Sequence, residues 1–259
     1  MVLPSGRPCI RLSAVDSTNA EARRQLASGA SSSLWVVADE QSEGRGRYGR
    51  RWESPAGNLY ATLLLIDALD IKSAGQLSFV AALAVSDVLK AHAPSALVEV
   101  KWPNDILIDG RKASGILLET CRSRGTEVEA LAVGIGVNIA SHPDDTAFPA
   151  TCLAAHVRPA PSCDTVLGAL DASFLRRYEE WRDKGFAPLR EAWLERAAGL
   201  GGPLLAALPN ERVSGIFETL APTGELVLSL PGGATRLLSA ADIFFGDPPM
   251  TERAHAADD

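Results

Sequence analysis

From Leu97 to Ile139 the chain reads as strand after strand, with no helical pattern between them. Leu97–Trp102 is a strand, and Pro103-Asn104-Asp105 turns the chain. Ile106–Ile108 and Ala113–Thr120 then flank Asp109-Gly110, a two-residue hairpin signal. Val128–Ile139 is a further long strand. Alternating βαβ units are missing from this stretch. The order therefore predicts a mixed or antiparallel sheet with helices on one side, an α+β layout and not a doubly wound fold.

The flanking segments complete that sheet. Residues 9–15 and Leu34–Ala38 read as short strands, and Asn58–Ile66 as a third. A helix is predicted from the DSTN turn at 16–19 to Ser28, stopped by Gly29. Thr18 with Glu21 three residues later has the form of a capping box. Residues 74–91 place Leu77, Val80, Ala81, Ala84, Val85, Val88 and Leu89 on one helical face. After a loop at 141–163, Asp164 is positioned to cap a helix reaching Lys184, followed by a helix from Pro188 to Ala198. Gly199–Pro203 marks a boundary. Short strands over 204–246, with turns at Pro209-Asn210, Pro222-Thr223-Gly224 and Pro231-Gly232-Gly233, predict a small β-barrel. The organisation is a first domain over 1–199, a second over 200–247, and a polar tail at 248–259 expected to be disordered.

Composition bounds the function. The chain of 259 residues has 25 Lys and Arg against 32 Asp and Glu, a formal charge of −7, which argues against coating nucleic acid as its main activity. Its four cysteines form no CxxC pair and its four histidines no ligand spacing, so they read as reduced thiols and scattered imidazoles, not a zinc site. The first residues lack the basic start and apolar run of a signal peptide. The longest strongly apolar stretches, Ala61–Ile66 and Phe79–Val85, fall short of the ~18 residues a bilayer span needs. The reading is a cytoplasmic protein that does not engage membranes.

Local charge tells a different story from the average. Gly44-Arg45-Gly46-Arg47-Tyr48-Gly49-Arg50-Arg51-Trp52 packs four arginines into a glycine-punctuated loop. Glycines let the backbone approach an anion, and guanidinium groups grip phosphate or carboxylate in pairs of hydrogen bonds. The loop has no Gly-Lys-Ser/Thr end and no following helix, so it is neither a Walker loop nor a dinucleotide fingerprint. An exposed basic turn is the alternative. In Lys101-Trp102-Pro103-Asn104-Asp105-Ile106, Asp105 can coordinate Mg²⁺ or orient a ligand amide, or the segment is an ordinary Asn-Asp turn. In Lys112-Ala113-Ser114-Gly115, small residues leave space that the Lys112 ammonium can enter, or Lys112 simply ends a hairpin on the surface. Gly134-Ile135-Gly136-Val137-Asn138 combines alternate glycines, which permit close approach to a strand, with an Asn at the strand end; a tight strand crossing explains it equally.

Together and in this order, these segments resemble one family, the biotin protein ligases. DSTN at 16–19, the loop from Gln41 to Trp52, SPAGNLY at 54–60, KWPNDI at 101–106, KASGIL at 112–117 and GIGVNI at 134–139 carry the likeness, which spans residues 10–200. The resemblance implies a catalytic domain of the class II aminoacyl-tRNA synthetase-like fold, followed by a small SH3-like barrel. Only 15 residues precede Asp16, so the resemblance is to the monofunctional type without a DNA-binding domain. It implies ATP and biotin as substrates with Mg²⁺, a biotinyl-5′-AMP intermediate, and a biotin carboxyl carrier domain as partner. A homodimer is compatible with it.

The implied roles are these. Ser17, Thr18, Asn19 and Gln41 surround the biotin ureido ring. Gly44, Arg45, Gly46, Arg47 and Gly115 also line the biotin site, Arg45 to Arg47 facing the carboxylate and the adenylate phosphate. Trp52 packs near the adenine, and Arg50, Asn104 and Asn138 help hold the nucleotide. Lys112 and Arg47 are the catalytic pair, and Asp105 is the candidate for Mg²⁺. Two other readings remain: a lipoate–protein ligase sharing the adenylation chemistry, and a non-catalytic nucleotide-binding regulator.

Overall fold

The computed structural model describes residues 3–245, apart from 145 and 147. The chain divides into two compact units, the first ending at Ala198 and the second beginning at Gly199. In the first, β1 (Cys9–Val15), α1 (Thr18–Ala27), β2 (Leu34–Gln41) and β3 (Leu59–Asp70) lead through a single helical turn, α2 (Ile71–Ala74), to α3 (Leu77–His92). Strands β4 (Val98–Lys101), β5 (Asp105–Ile108), β6 (Arg111–Arg124) and β7 (Glu127–Val137) follow, then α4 (Cys163–Lys184) and α5 (Phe186–Leu194). The seven strands form one sheet in the order β1-β2-β3-β7-β6-β5-β4. Only β1 and β2 pair in parallel, so the sheet is mixed, one of the two forms the strand sequence left open.

Strand periodicity explains what each face carries. On β7, Leu131, Val133, Ile135 and Val137 alternate with Ala130, Ala132, Gly134 and Gly136, large on one face and small on the other. On β2, Trp35 meets Phe174 of α4 edge-on at 6.3 Å, while Val36 belongs to a cluster with Ala22 of α1, Leu64, Ala130 and Ala132. Neighbouring residues of one strand point to opposite faces, so α1 lies across the sheet from α4. The expectation of helices on one side is corrected here: α1 is short, and the small side chains of β7 let it pack closely on the second face.

Helix α3 is the centre of the other layer, with eleven buried residues. Together α2 and α3 are long and apolar enough to cross a membrane by length and composition, with a mean hydropathy of 1.3. The stretch is 67% buried, so that apolarity serves the core. Phe79 of α3 packs edge-on against Phe186 and Trp193 of α5, and the Asp87 carboxylate takes hydrogen bonds from Arg176, Arg177 and Arg196.

Two helix starts differ from expectation. The α1 capping box does not form: Ser17 is the N-cap, and the Glu21 carboxylate turns to Arg24 and Gln25. Thr18, the first helical residue, gives its amide and hydroxyl to Gln41 instead. At α4 the cap is Ser162, whose Oγ accepts from the Thr165 amide at 3.1 Å. Asp164 sits two residues past the cap, and pairs with Arg11 of β1.

The second unit is a five-stranded antiparallel sheet in the order β11-β10-β9-β8-β12, made of β8 (Pro203–Ala207), β9 (Arg212–Leu220), β10 (Leu226–Ser229), β11 (Thr235–Leu238) and β12 (Asp242–Phe245). Its first three turns fall on the predicted Pro-, Asn- and Gly-containing turn segments, and Phe217, Leu220, Leu226 and Leu228 fill its core. The tail at 248–259 lies outside the described residues.

One buried carboxylate ties the first unit together. Asp171 of α4 is fully buried and accepts from the Ser5 amide and hydroxyl and from Trp35 Nε1, all within 2.9 Å. Removing it leaves the buried Trp35 indole N–H and two half-buried Ser5 donors without their acceptor, and unsatisfied buried polar groups are costly. Asp171→Ala should lower the unfolding free energy by about 3 kcal/mol, read from the midpoint of urea denaturation.

Candidate active site

The functional residues gather on the small-residue face of the sheet. Gly115 of β6 and Gly136 of β7 are direct partners in the register. The Trp52 ring lies across both: a Cβ at Gly136 would come within 2.6 Å of the indole, and one at Gly115 within 2.9 Å. Glycine is thus required at both positions for an aromatic ring to lie on the strands. The indole Nε1 is buried there and has no hydrogen-bond partner. Lys112, at the start of β6, brings its ammonium 5.4 Å from the Trp52 ring centre and 2.7 Å from Asp105 Oδ1. Asp105, Lys112, Gly115, Gly136 and Trp52 therefore form one group.

A second group adjoins it. Gln41, the last residue of β2, accepts from the Thr18 amide at 2.8 Å and donates to Ser54 Oγ at 3.0 Å. Thr62 of β3 hydrogen-bonds Thr18 Oγ1 at 2.8 Å and Asn19 Oδ1 at 2.6 Å. Asn19 donates in turn to Glu119 at 2.7 Å. The Asn19 carboxamide rests on Gly134, where any Cβ would overlap it. Ser17, Thr18, Asn19 and Thr62 are all buried, so the start of α1 is a polar wall inside the fold. Full satisfaction makes such a buried network rigid.

The arginine loop joins the two groups. The Ser42 and Glu43 amides donate to the carbonyls of Val15 and Asp16, pinning the loop's start beside α1. Trp52 N donates to Gly44 O and Gly46 N to Arg50 O, closing the loop on itself. Ser54 Oγ and Gln41 crowd Gly44 so closely that a Cβ there would stand 2.6 Å from the Ser54 hydroxyl. The tip turns on Tyr48 and Gly49, both with positive φ, at 58° and 71°. Tyr48 is exposed, with the Arg47 guanidinium 4.9 Å and the Arg50 guanidinium 5.7 Å from its ring centre. Arg45 and Arg51 face solvent across the loop.

The two asparagines of the motifs serve the backbone. Asn104 Nδ2 donates to Ile116 O at 2.6 Å and closes the irregular β5–β6 pairing. Asn138 is buried and donates to Thr151 O at 3.0 Å, fastening the segment after β7. Sequence reasoning missed Thr62, Ser54 and the role of Glu119 in holding Asn19. Thr62 was marked by being polar within the apolar run 59–66. Nothing local marks Glu119, whose partner is one hundred residues away.

Among the described residues, no three His, Cys, Asp or Glu side chains converge to hold a metal ion. The site is instead a glycine floor with an aromatic cover, bordered by a lysine, a polar wall and a loop of four arginines. Such an arrangement on a mixed sheet is chemically suited to holding an anion. Residues 12–138 match the model of the biotin/lipoate A/B protein ligase family, and 203–246 match the biotin protein ligase C terminal domain. A biotin–[acetyl-CoA-carboxylase] ligase of Paracoccus denitrificans is 46% identical over 91% of this chain and 99% of its own. The bifunctional ligase/repressor BirA of Bacillus subtilis is 32% identical over 93% of this chain and 75% of its own. The fold is similar to that of the Aquifex aeolicus biotin protein ligase in complex with biotin and ATP, with a TM-score of 0.79, 26% identity, and coverage of 92% and 99%. The chain belongs to the biotin protein ligase family.

The junction between α1 and the loop is sensitive to acid. Arg24 holds Asp16 with two hydrogen bonds, at 2.9 and 2.7 Å, and Asp16 in turn accepts from the Ser17 amide. The Arg24 guanidinium, with help from that amide, pulls the Asp16 carboxyl down to about 2. A depressed carboxyl stabilises the fold above its unfolded value near 3.8, and that contribution is lost as pH falls toward 2. Asp16→Asn should therefore flatten the pH dependence of the melting temperature between about pH 4 and 2 relative to wild type, by calorimetry.

Proposed function

We infer that this chain is an ATP-dependent biotin protein ligase that works in two half-reactions. A biotin carboxylate oxygen attacks the α-phosphorus of ATP, the bond to the β-phosphate oxygen breaks, and pyrophosphate leaves. The product, biotinyl-5′-AMP, then loses AMP as a carrier lysine amine attacks its acyl carbon. The observation that carries this reading is the Lys112 ammonium beside the Gly115–Gly136 floor, on the same face as the arginine loop.

The chemistry explains the residues. Two anions, carboxylate and triphosphate, must be brought together, and the charge that builds at the α-phosphate needs fixed positive partners. Lys112 supplies one, held in place by Asp105. Arg45, Arg47 and Arg50 supply others from a loop able to order over the ligand. Ser17, Thr18, Asn19, Gln41 and Gly44 lie where hydrogen bonds to the biotin ureido ring would be made. Trp52 offers an aromatic face to the adenine. Asn104 and Asn138 act on the nucleotide through the backbone segments they fasten.

Among the described residues Asp105 is the carboxylate paired with Lys112, and it fits Mg²⁺. That ion commonly uses one or two carboxylates, substrate phosphates and waters, not a protein cage. Asp105 would hold it, and the ion would offset charge on the triphosphate. The partner is a biotin carboxyl carrier protein, in keeping with the name of the Paracoccus relative. The C-terminal match at 203–246 favours biotin over lipoate.

The deciding experiment is ATP-dependent labelling of a purified carrier domain, with biotin and lipoate compared in ATP–pyrophosphate exchange. Exchange with biotin alone supports the reading, and exchange with lipoate alone overturns it. Lys112→Ala should lower the exchange rate by about 10²–10³-fold in protein that circular dichroism shows to be folded. Arg47→Gly should let the adenylate escape, so that bystander proteins become biotinylated along with the carrier. Carrier-only labelling by that variant would rule out its retention role.

A further inference from the structure

The backbone of Lys112 is not held by its own hairpin alone. Lys112 N donates to Pro149 O at 2.8 Å, and Thr151 N donates to Lys112 O at 2.9 Å, so residues 149–151 lie along Lys112 as a parallel strap. Thr151 is fixed from two sides. Its carbonyl accepts from Asn138, and its hydroxyl stands 2.8 Å from His156 Nε2. His156 Nδ1 in turn lies 3.3 Å from Asp109 Oδ2. Asp109 is the first residue of the tight β5–β6 turn, with φ of 49°, three residues before Lys112. The contacts close a ring: Asp109, the hairpin, Lys112, Thr151, His156 and back to Asp109.

A threonine hydroxyl, an imidazole and a carboxylate in a row have the form of a nucleophilic triad. Burial excludes that use, because Thr151 is only 3% exposed and offers no approach to a substrate. The arrangement suits a brace instead. The Asp109 carboxylate favours the proton on Nδ1, which leaves Nε2 to accept from the Thr151 hydroxyl. Asp109 is itself anchored, since its other carboxylate oxygen accepts from the Leu97 amide at 2.9 Å.

We propose that His156 is a positioning residue for adenylation, acting through Thr151 to fix the start of β6 and with it the Lys112 ammonium. This rests on the reading of Lys112 given above. Misplacing a reacting group by about 1 Å can cost ~10²-fold in rate without abolishing binding.

The test uses the full-length enzyme in biotin-dependent ATP–pyrophosphate exchange, well below the melting temperature. His156→Ala should lower kcat by about 10-fold or more. The KM values for biotin and ATP should stay within about 3-fold, because the polar wall and the loop are untouched. His156→Gln sets an amide where Nε2 stood and should restore most of the rate; His156→Asn keeps only the Asp109 side and should not. Thr151→Val, isosteric and lacking the hydroxyl, should match His156→Ala and covers the case in which the latter folds poorly. Wild-type kcat in both His156→Ala and Thr151→Val, with only the melting temperature lowered, would overturn the proposal. Equal losses in His156→Gln and His156→Ala would overturn the route through Thr151. Lys112→Ala is run alongside: if it keeps near-normal exchange, the reading of Lys112 has failed, and if it loses exchange while the His156 variants do not, only the brace has failed.

Discussion

Everything in the catalytic unit depends on how little side chain one face of two strands carries. Gly115 on β6 and Gly134 and Gly136 on β7 leave bare backbone in the middle of a seven-stranded sheet. Beside them Ala130 and Ala132 accept α1. The same strand presents Leu131, Val133 and Ile135 to the opposite face, where they support the helical layer. Strand alternation thus lets one segment be core on one side and a bare floor for Asn19 and Trp52 on the other. Asn19 rests on Gly134 and Trp52 rests on Gly115 and Gly136, at distances that any β-carbon would forbid.

Charge is organised around that floor by separate parts of the chain. The arginine loop is pinned at its root to the β1–α1 turn and is exposed at its tip. Lys112, at the start of β6, is paired with Asp105 and stands over the indole of Trp52. Positive groups thus border the floor in a protein whose net charge is −7. The start of α1 differs in kind: it carries buried, uncharged hydroxyls and amides. Their mutual hydrogen bonds fix their directions before a ligand arrives.

Reading the residues one at a time went wrong where two explanations competed for the same atoms. Thr18 and Glu21 fit a capping box by spacing, yet the folded chain gives Thr18 to Gln41 and Glu21 to Arg24. The competing partners lie across the sheet or one turn further along the helix, and spacing to N3 says nothing of them. Asp164 failed as a cap because Ser162 stands in the extended geometry a cap needs. Asn104 and Asn138 each give their Nδ2 to a backbone carbonyl, of Ile116 and Thr151, a structural part that their motifs did not announce.

The sequence by itself determined which segments become strands, the turns, the helical faces and the family. These rest on periodicity, turn chemistry and contiguous motifs, all written within a few residues of one another. It did not determine that α1 lies across the sheet from α4, because which face a short helix covers depends on side-chain volumes on strands far away. Nor did it pair Asn19 with Glu119, Trp35 with Asp171, or His156 with Asp109. Those contacts join residues from 47 to 136 positions apart. A hydrogen bond between such residues exists only once the sheet register has set their separation, and that is a property of the tertiary structure.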